Sequence, residues 1–478
     1  MVPYKFPFIL FPFIIFSLFL SCTDEESPKP TPSDSTANEW IEETMRKYYY
    51  WYEDIPEKNK LNFSLEPDQF FYSLLSDKDG KTRPYSTINK KTTNSRAYMG
   101  ERYSFGFEFL YYRVQENPNV YALRILYVAP GSPAANAGLK RDSWIYELNG
   151  RPLPDTNNTS EITDMLYASS SSTIRFGVLD ENSTALRQIE ITSIPDVTDN
   201  PVYVYKTFPL VNGKKAGYLL YNHFTAGPVN NGQDETFNNS LRDALARIKT
   251  EKPEDFILDL RYNGGGLVSS ARLLSTMLAP ANALGDVFCN LIYNTNKDNN
   301  YQDQTLYLDP KLATQGSQVV NLDIKRLFVI TSNWTASASE AVINGLSPYL
   351  GLNQNLIIMG NKTEGKNVGS ITFDDDRYEW ELHPIVSKIS NKNNDSDYAD
   401  GFHPTAGFNC VETQQDIFYE LGDEREFMLK QLLNYINYGT AIDDGRNQLK
   451  SAGNKCLTPL YNSLERKRLN GVLLSPAI

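Results

Sequence analysis

Between residues 216 and 366 one phrase recurs three times: a short apolar run, a tight turn of small or polar residues, and a helix with one apolar face. Ala216–Tyr221 precedes a helix whose stripe is Phe237, Leu241, Ala244, Leu245 and Ile248. Phe256–Leu260 runs straight into Arg261-Tyr262-Asn263-Gly264-Gly265-Gly266 and a helix carrying Leu273, Leu274 and Met277. Arg326–Thr331 leads through Ser332-Asn333-Trp334-Thr335-Ala336-Ser337-Ala338-Ser339-Glu340 to a helix with Ala341, Ile343 and Leu346, and Leu356–Met359 opens a further strand before Gly360–Lys366. Strands joined through helices pair in parallel. The expectation is an α/β domain whose functional groups sit at the strand ends, where turns meet helix N-termini.

Composition narrows the partners. With 478 residues, 41% of them hydrophobic, the chain builds more than one core. Its 46 Lys and Arg against 58 Asp and Glu leave a net charge of −12, which argues against a nucleic-acid partner. Histidines 223, 383 and 403 and cysteines 22, 289, 410 and 456 fall into no CxxC, HxxxH or HExxH spacing, so neither a metal site nor any other cofactor is expected. The glycine run 264–266 lacks the GxxxxGK[ST] and GxGxxG patterns of nucleotide-binding loops.

Residues 6–20 are apolar after Lys5, the length of a signal-peptide core and short for a membrane span. They end in Leu18-Phe19-Leu20-Ser21-Cys22, which resembles a bacterial lipoprotein signal, with Phe19 departing from the usual aliphatic residue. That resemblance implies a signal peptide over 1–21, a lipid on Cys22, and a cell-envelope lipoprotein held to a membrane on its periplasmic or surface side. Residues 22–37, polar and Pro-rich, are expected to form a flexible tether. Two helical patterns follow, one with Trp40, Met45, Tyr48 and Trp51, the other with Phe70, Phe71, Leu74 and Leu75, giving a helical cap over 38–98.

From 99 to 197 the pattern changes to short β-type runs: Tyr103–Leu110, Val120–Val128, Ser143–Leu148, Thr173–Val178 and Gln188–Thr192. Within them, Val128-Ala129-Pro130-Gly131-Ser132-Pro133-Ala134-Ala135-Asn136-Ala137-Gly138-Leu139 and Trp144–Gly150 resemble a bacterial PDZ domain. The resemblance places Phe105, Gly106 and Phe107 in the loop that would receive a peptide's C-terminal carboxylate, the peptide adding as a strand.

Ser337 follows a buried strand at a small-residue turn and opens a helix, where N–H groups and the helix dipole favour developing negative charge. Ser332, Thr335 and Ser339 share that neighbourhood, and any of the four could simply cap the helix. The three histidines offer no obvious base, so a Ser–His–Asp triad stays open but unmotivated. Lys366, just past a strand, is placed to act as one if burial holds it neutral, with Lys362 as its neighbour and competitor. The glycines at 264–266 allow close approach of a substrate, and the N–H groups of Gly265 and Ala338 are candidates for stabilising an oxyanion.

Together these pieces resemble the C-terminal processing peptidases, the tail-specific proteases of serine peptidase family S41. The residues that carry the resemblance are Asp259–Gly266, Thr335-Ala336-Ser337-Ala338-Ser339-Glu340, Gly365-Lys366 and Leu421-Gly422-Asp423, besides the PDZ-like segment. It implies a ClpP/crotonase-like α/β core over 198–478, with the PDZ-like domain before it. It also implies Ser337 as nucleophile, Lys366 as base, and an acyl-enzyme route to endopeptidase activity on polypeptides with free C-termini. Family members often carry Gln or Glu four residues after the lysine; here Ser370 stands there. That departure keeps open a weakly active or inactive peptide-binding protein of the same fold, and an esterase or amidase is a second alternative. The oligomeric state is left open, and residues 290–304 read as a polar surface excursion.

Overall fold

The computed structural model describes residues 34–80, 83–91, 103–114, 120–154, 159–167, 170–179, 185–195, 197–228, 233–316, 318–412, 417–440 and 457–465. The expected signal peptide and Cys22 lie outside them.

The N-terminal region contains α1 (Asp34–Tyr48), α2 (Pro67–Ser73) and β1 (Thr87–Lys90). Helix α1 begins inside the stretch expected to be tether, because Ala37, Ile41 and Met45 fall on one face and bury it. Nor is the region an independent cap. Its core includes Val368, Trp380, Leu382 and Ile385 from the far end of the chain.

The next region is β-rich: β2 (Phe107–Val114), β3 (Val120–Val128), the short α3 (Pro133–Asn136), β4 (Trp144–Leu148), α4 (Thr159–Leu166), β5 (Thr173–Leu179) and β6 (Leu186–Thr192). The four aromatic residues Phe105, Phe107, Phe109 and Phe176 lie in its core.

The α/β domain follows: β7 (Val202–Pro209), β8 (Lys215–Tyr221), α5 (Thr236–Thr250), β9 (Asp255–Asp259), α6 (Val268–Leu278), β10 (Val287–Tyr293), β11 (Arg326–Thr331), α7 (Ala338–Leu350), β12 (Leu356–Gly360), β13 (Val368–Ser370), β14 (Trp380–His383), β15 (Ile385–Ser390) and α8 (Phe427–Tyr438). Strand order in the main sheet is β7-β8-β9-β11-β12. All neighbours are parallel except the hairpin β7–β8. The chain closes with β16 (Leu457–Asn462), which returns to the β-rich region and pairs with β2.

Two further features differ from expectation. The stretch read as a surface excursion from 290 starts inside β10, where Cys289, Leu291 and Tyr293 are buried and the strand pairs with β15. Its alternation of polar and apolar residues marks a half-buried strand. Second, β1 pairs with β14 in the register Thr87↔His383 to Lys90↔Trp380, so the N-terminal region is stitched to the domain that carries Lys366.

Candidate active site

The turns after β9 and β11 are laced together. Ser332 Oγ donates to Arg261 O, Thr335 Oγ1 to Leu260 O at 2.8 Å, and Ser339 Oγ to Asn263 O at 3.0 Å. Ala336 N–H also reaches Asn263 O, and Asn263 Nδ2 donates to Tyr221 O. Three of the four hydroxyls in the segment are thus spent holding backbone in place. The fourth, Ser337 Oγ, is buried, with Ser337 1% exposed, and makes no hydrogen bond.

Ser337 sits at φ 65°, ψ −114°, in the left-handed half of the map, immediately before α7. Such a conformation costs on the order of 1–3 kcal/mol in a non-glycine residue and persists only where its surroundings enforce it. Gly265, itself at φ 109°, is part of that enforcement: a Cβ there would lie 2.7 Å from Ser337 Cβ and 3.1 Å from Ala338 N. Glycine is required because the two turns touch.

The larger part comes from Glu340, fully buried three residues on. Its Oε2 accepts the N–H of Ser337 at 2.7 Å and that of Lys366 at 2.9 Å; its Oε1 accepts the N–H of Gly365 at 2.7 Å and the hydroxyl of Thr363 at 2.6 Å. Thr363 Oγ1 in turn receives the N–H of Phe402, which fixes the direction of its proton. One carboxylate therefore clasps the Ser337 turn to the lysine loop, with two backbone nitrogens on the same oxygen. Burial pushes the Glu340 carboxyl up to about 7, against the pull of these four donors.

Lys366 is 4% exposed. Burial brings its amine down to about 8, opposed by Asp79, Glu364 and Glu340. At that value it is half neutral near pH 8, as a general base requires. Its Nζ lies 5.1 Å from the centre of the Tyr85 ring in the N-terminal region. Tyr85 is set by Asp79, whose Oδ1 accepts the N–H groups of Tyr85 and Ser86 and whose Oδ2 accepts the Tyr49 hydroxyl. Ser337 Oγ and Lys366 Nζ are not hydrogen-bonded in this arrangement. Ser370 is buried on β13, four residues past the lysine. Lys362, the competitor, is exposed and paired with Asp400.

The Gly265 N–H donates to Asn263 Oδ1 at 2.9 Å rather than into the space beside Ser337. Ala338 opens α7, so its N–H belongs to the first turn, which has no intrahelical acceptor. In the β-rich region, Phe105 and Phe107 pack edge-on against Phe176. Gly106, at φ 83°, lies so close to Ser132 that a Cβ would approach its Cβ to 2.2 Å. Its N–H is held by Ser104 Oγ.

Behind the glycine turn lies a second charged cluster that the sequence did not announce. Arg261 donates to Asp259, Glu412 and Glu426, and Arg141 of the β-rich region donates to Glu412, to the Tyr262 hydroxyl and to two carbonyls. Burial opposes ionisation of Glu412, but Arg141 and Arg261 outweigh it and hold the carboxyl at about 2. Burial dominates at Asp259, whose carboxyl stays above its ordinary value despite Arg261.

The profile of Peptidase family S41 matches residues 215–404, that of the Peptidase S41 N-terminal domain matches 36–105, and a PDZ domain profile matches 124–179. A crystal structure from Bacteroides fragilis, assigned to the S41 proteases, shares 31% identity and a TM-score of 0.70, covering 87% of this chain and 100% of that one. The chain belongs to peptidase family S41. Among curated relatives it is 24% identical over 289 residues to the carboxyl-terminal-processing protease of a Picosynechococcus strain, covering 58% of this chain and 61% of that protein. To the enzyme of the same name from Synechocystis it is 22% identical over 341 residues, 70% of each. Tyr85, whose ring faces Lys366, lies within the segment matched by the S41 N-terminal domain profile. The PDZ match begins at residue 124 and so leaves out β2 and the Phe105–Phe107 loop.

Proposed function

We propose that the protein is a serine endopeptidase of the Ser-Lys type acting on polypeptides with free C-termini. The observation that carries this reading is the Ser337 hydroxyl, the one in the 332–339 turn left buried and unbonded, held in a strained conformation and clasped through Glu340 to the loop of a buried, pKa-lowered lysine. Ser337 Oγ attacks the peptide carbonyl carbon while its proton passes to neutral Lys366 Nζ. The oxyanion is received by the N–H of Ala338, joined by Gly265 once substrate draws its N–H from Asn263. The C–N bond breaks as the lysine ammonium protonates the leaving amine, and water, deprotonated by the neutral amine, releases the acyl group. In the reacting geometry Lys366 Nζ leaves the Tyr85 ring face for the Ser337 hydroxyl, and the Gly265 N–H leaves Asn263 Oδ1. Ser370 is the candidate to orient the amine there.

The PDZ domain, with Phe105, Gly106 and Phe107 at its carboxylate loop, would supply the C-terminus recognition. The sequence of the first 37 residues supports a lipid on Cys22 and a place in the bacterial cell envelope.

The contact between Lys366 and Tyr85 favours a second reading, a peptide-binding protein with little turnover. A fluorophosphonate probe separates the two. Labelling of the wild-type chain that disappears in Ser337→Ala supports catalysis; no labelling of the folded wild type ends it. Faster cleavage of a peptide with a free C-terminus than of its amide checks the substrate class, and preference for simple esters points instead to an esterase.

A further inference from the structure

The proposed peptide-capturing region is not open in this structure. In a PDZ domain the ligand adds as an antiparallel strand beside the strand that follows the carboxylate loop. Here that strand is β2, directly after Phe105-Gly106. One edge of β2 pairs with β3 and the other with β16, in the sheet order β16-β2-β3-β4-β5-β6. The register runs Leu457↔Val114, Thr458↔Arg113, Pro459↔Tyr112, Tyr461↔Tyr111 and Asn462↔Leu110. The C-terminal segment thus travels antiparallel to β2 and toward the loop at 105–107, the direction a captured C-terminus would take.

Side chains seat it as a ligand would be seated. Ser463 Oγ accepts the Phe109 N–H at 2.8 Å and donates to Glu108 Oε2 at 2.5 Å, continuing the pairing past the end of the strand. Leu464 is 2% exposed, and Leu460 and Tyr461 pack on the core of the β-rich region, with the Tyr461 ring 6.2 Å from that of Phe109. From the other side comes Tyr167, just past α4, whose phenol is raised by burial, by Glu108 and by Tyr461. Tyr167, Leu460 and Tyr461 pack on one core, and the segment pairs along β2 beside it.

We propose that residues 457–465 are a built-in occupant of the strand-addition groove, so that a polypeptide C-terminus gains the groove only by displacing them. The inference rests on the reading of this region as the C-terminus receptor of a peptidase. An occupant bound in cis lowers the apparent affinity of any incoming peptide by the fraction of time the groove is vacated. It makes capture selective for C-termini that pair with β2 better than this segment does.

The test uses the full chain carrying Ser337→Ala and a fluorescein-labelled peptide ending in three apolar residues with a free carboxylate, read by anisotropy. Thr458 and the exposed Arg113 are register partners, and antiparallel partners lie within disulfide reach. With Thr458→Cys and Arg113→Cys oxidised, binding is expected to fall at least about tenfold and to return on reduction. Ser463→Ala, which removes the bridge to Phe109 and Glu108, is expected to tighten binding several-fold. Equal affinity in the oxidised and reduced forms, cysteines that do not pair, or no gain from Ser463→Ala overturns the proposal. Fluorophosphonate labelling of the wild-type chain is run beside it: its absence defeats the peptidase reading alone, whereas normal labelling with an unresponsive binding series defeats the occupant alone.

Discussion

Glu340 and Glu412 are two glutamates removed from water, and they answer burial in opposite directions. Glu340 is met by three backbone N–H groups and one hydroxyl, and its carboxyl rises to about 7. Glu412 is met by the guanidinium groups of Arg141 and Arg261 and by the Tyr262 phenol, and it falls to about 2. Dipoles soften the penalty of burial; full opposite charges reverse it. The first centre stays responsive near neutral pH, at the side of Ser337. The second is a fixed ionic joint between the PDZ domain, the glycine turn and the chain around Glu412 and Glu426.

The sharpest way to break this contrast is to remove each carboxylate. Glu340→Leu strands four donors in a dry site, at about 1–3 kcal/mol each. Fluorophosphonate labelling of Ser337 is expected to fall by about a thousandfold or more, with Glu340→Gln between that and wild type. A Leu variant that labels at the wild-type rate would remove the clasp from the mechanism. Glu412→Leu leaves the Arg141 guanidinium buried without its carboxylate and is expected to cost about 3–5 kcal/mol in urea-induced unfolding. A loss below about 1 kcal/mol would mean the joint is dispensable.

Next in size is the lysine. Because Lys366 sits at about 8, the labelling rate should climb as pH rises through 8 and level off once the amine is neutral. The Tyr85 ring face favours the ammonium form, so Tyr85→Leu should move that limb to lower pH by up to about one unit, while Tyr85→Phe should leave it in place. An unmoved limb in the Leu variant would make the ring a passive wall.

The smallest effects are slopes of stability against pH. Glu340 has its folded value raised, so the folded chain binds the extra proton between about 4.5 and 7, and stability declines as pH rises across that window. Glu412 has its folded value depressed, so its contribution is present above about 4.5 and is lost as pH falls toward 2. Urea unfolding at a series of pH values, with Glu340→Gln and Glu412→Gln each flattening its own window, checks both signs.

The sequence disclosed what is local. Val120–Val128 is a strand at both expected ends, because its apolar run is bounded by Pro118-Asn119 and by Pro130-Gly131. The turns after β9 and β11 were legible from their small residues, and Ser337 could be named, though only the bonding of Ser332, Thr335 and Ser339 separates it from them on physical grounds. What remained hidden is non-local. The Ser-x-x-Glu spacing of 337 and 340 announces a helix cap, but not that Thr363, Gly365 and Lys366 share the same carboxylate. Tyr85 reaches Lys366 only through a pairing of β1 with β14, some three hundred positions along the chain. The diversion of the Gly265 N–H was within reach, since an asparagine two residues earlier commonly takes such a bond.

The stitching of β1 into β14 also sets a limit on how this chain can be trimmed. Cuts ahead of Asp34 would leave the α1–β1 unit whole. A cut beyond Tyr85 would remove Tyr49, Asp79 and Tyr85 and let water reach the Lys366 amine, which then returns toward the ordinary lysine range and holds its proton.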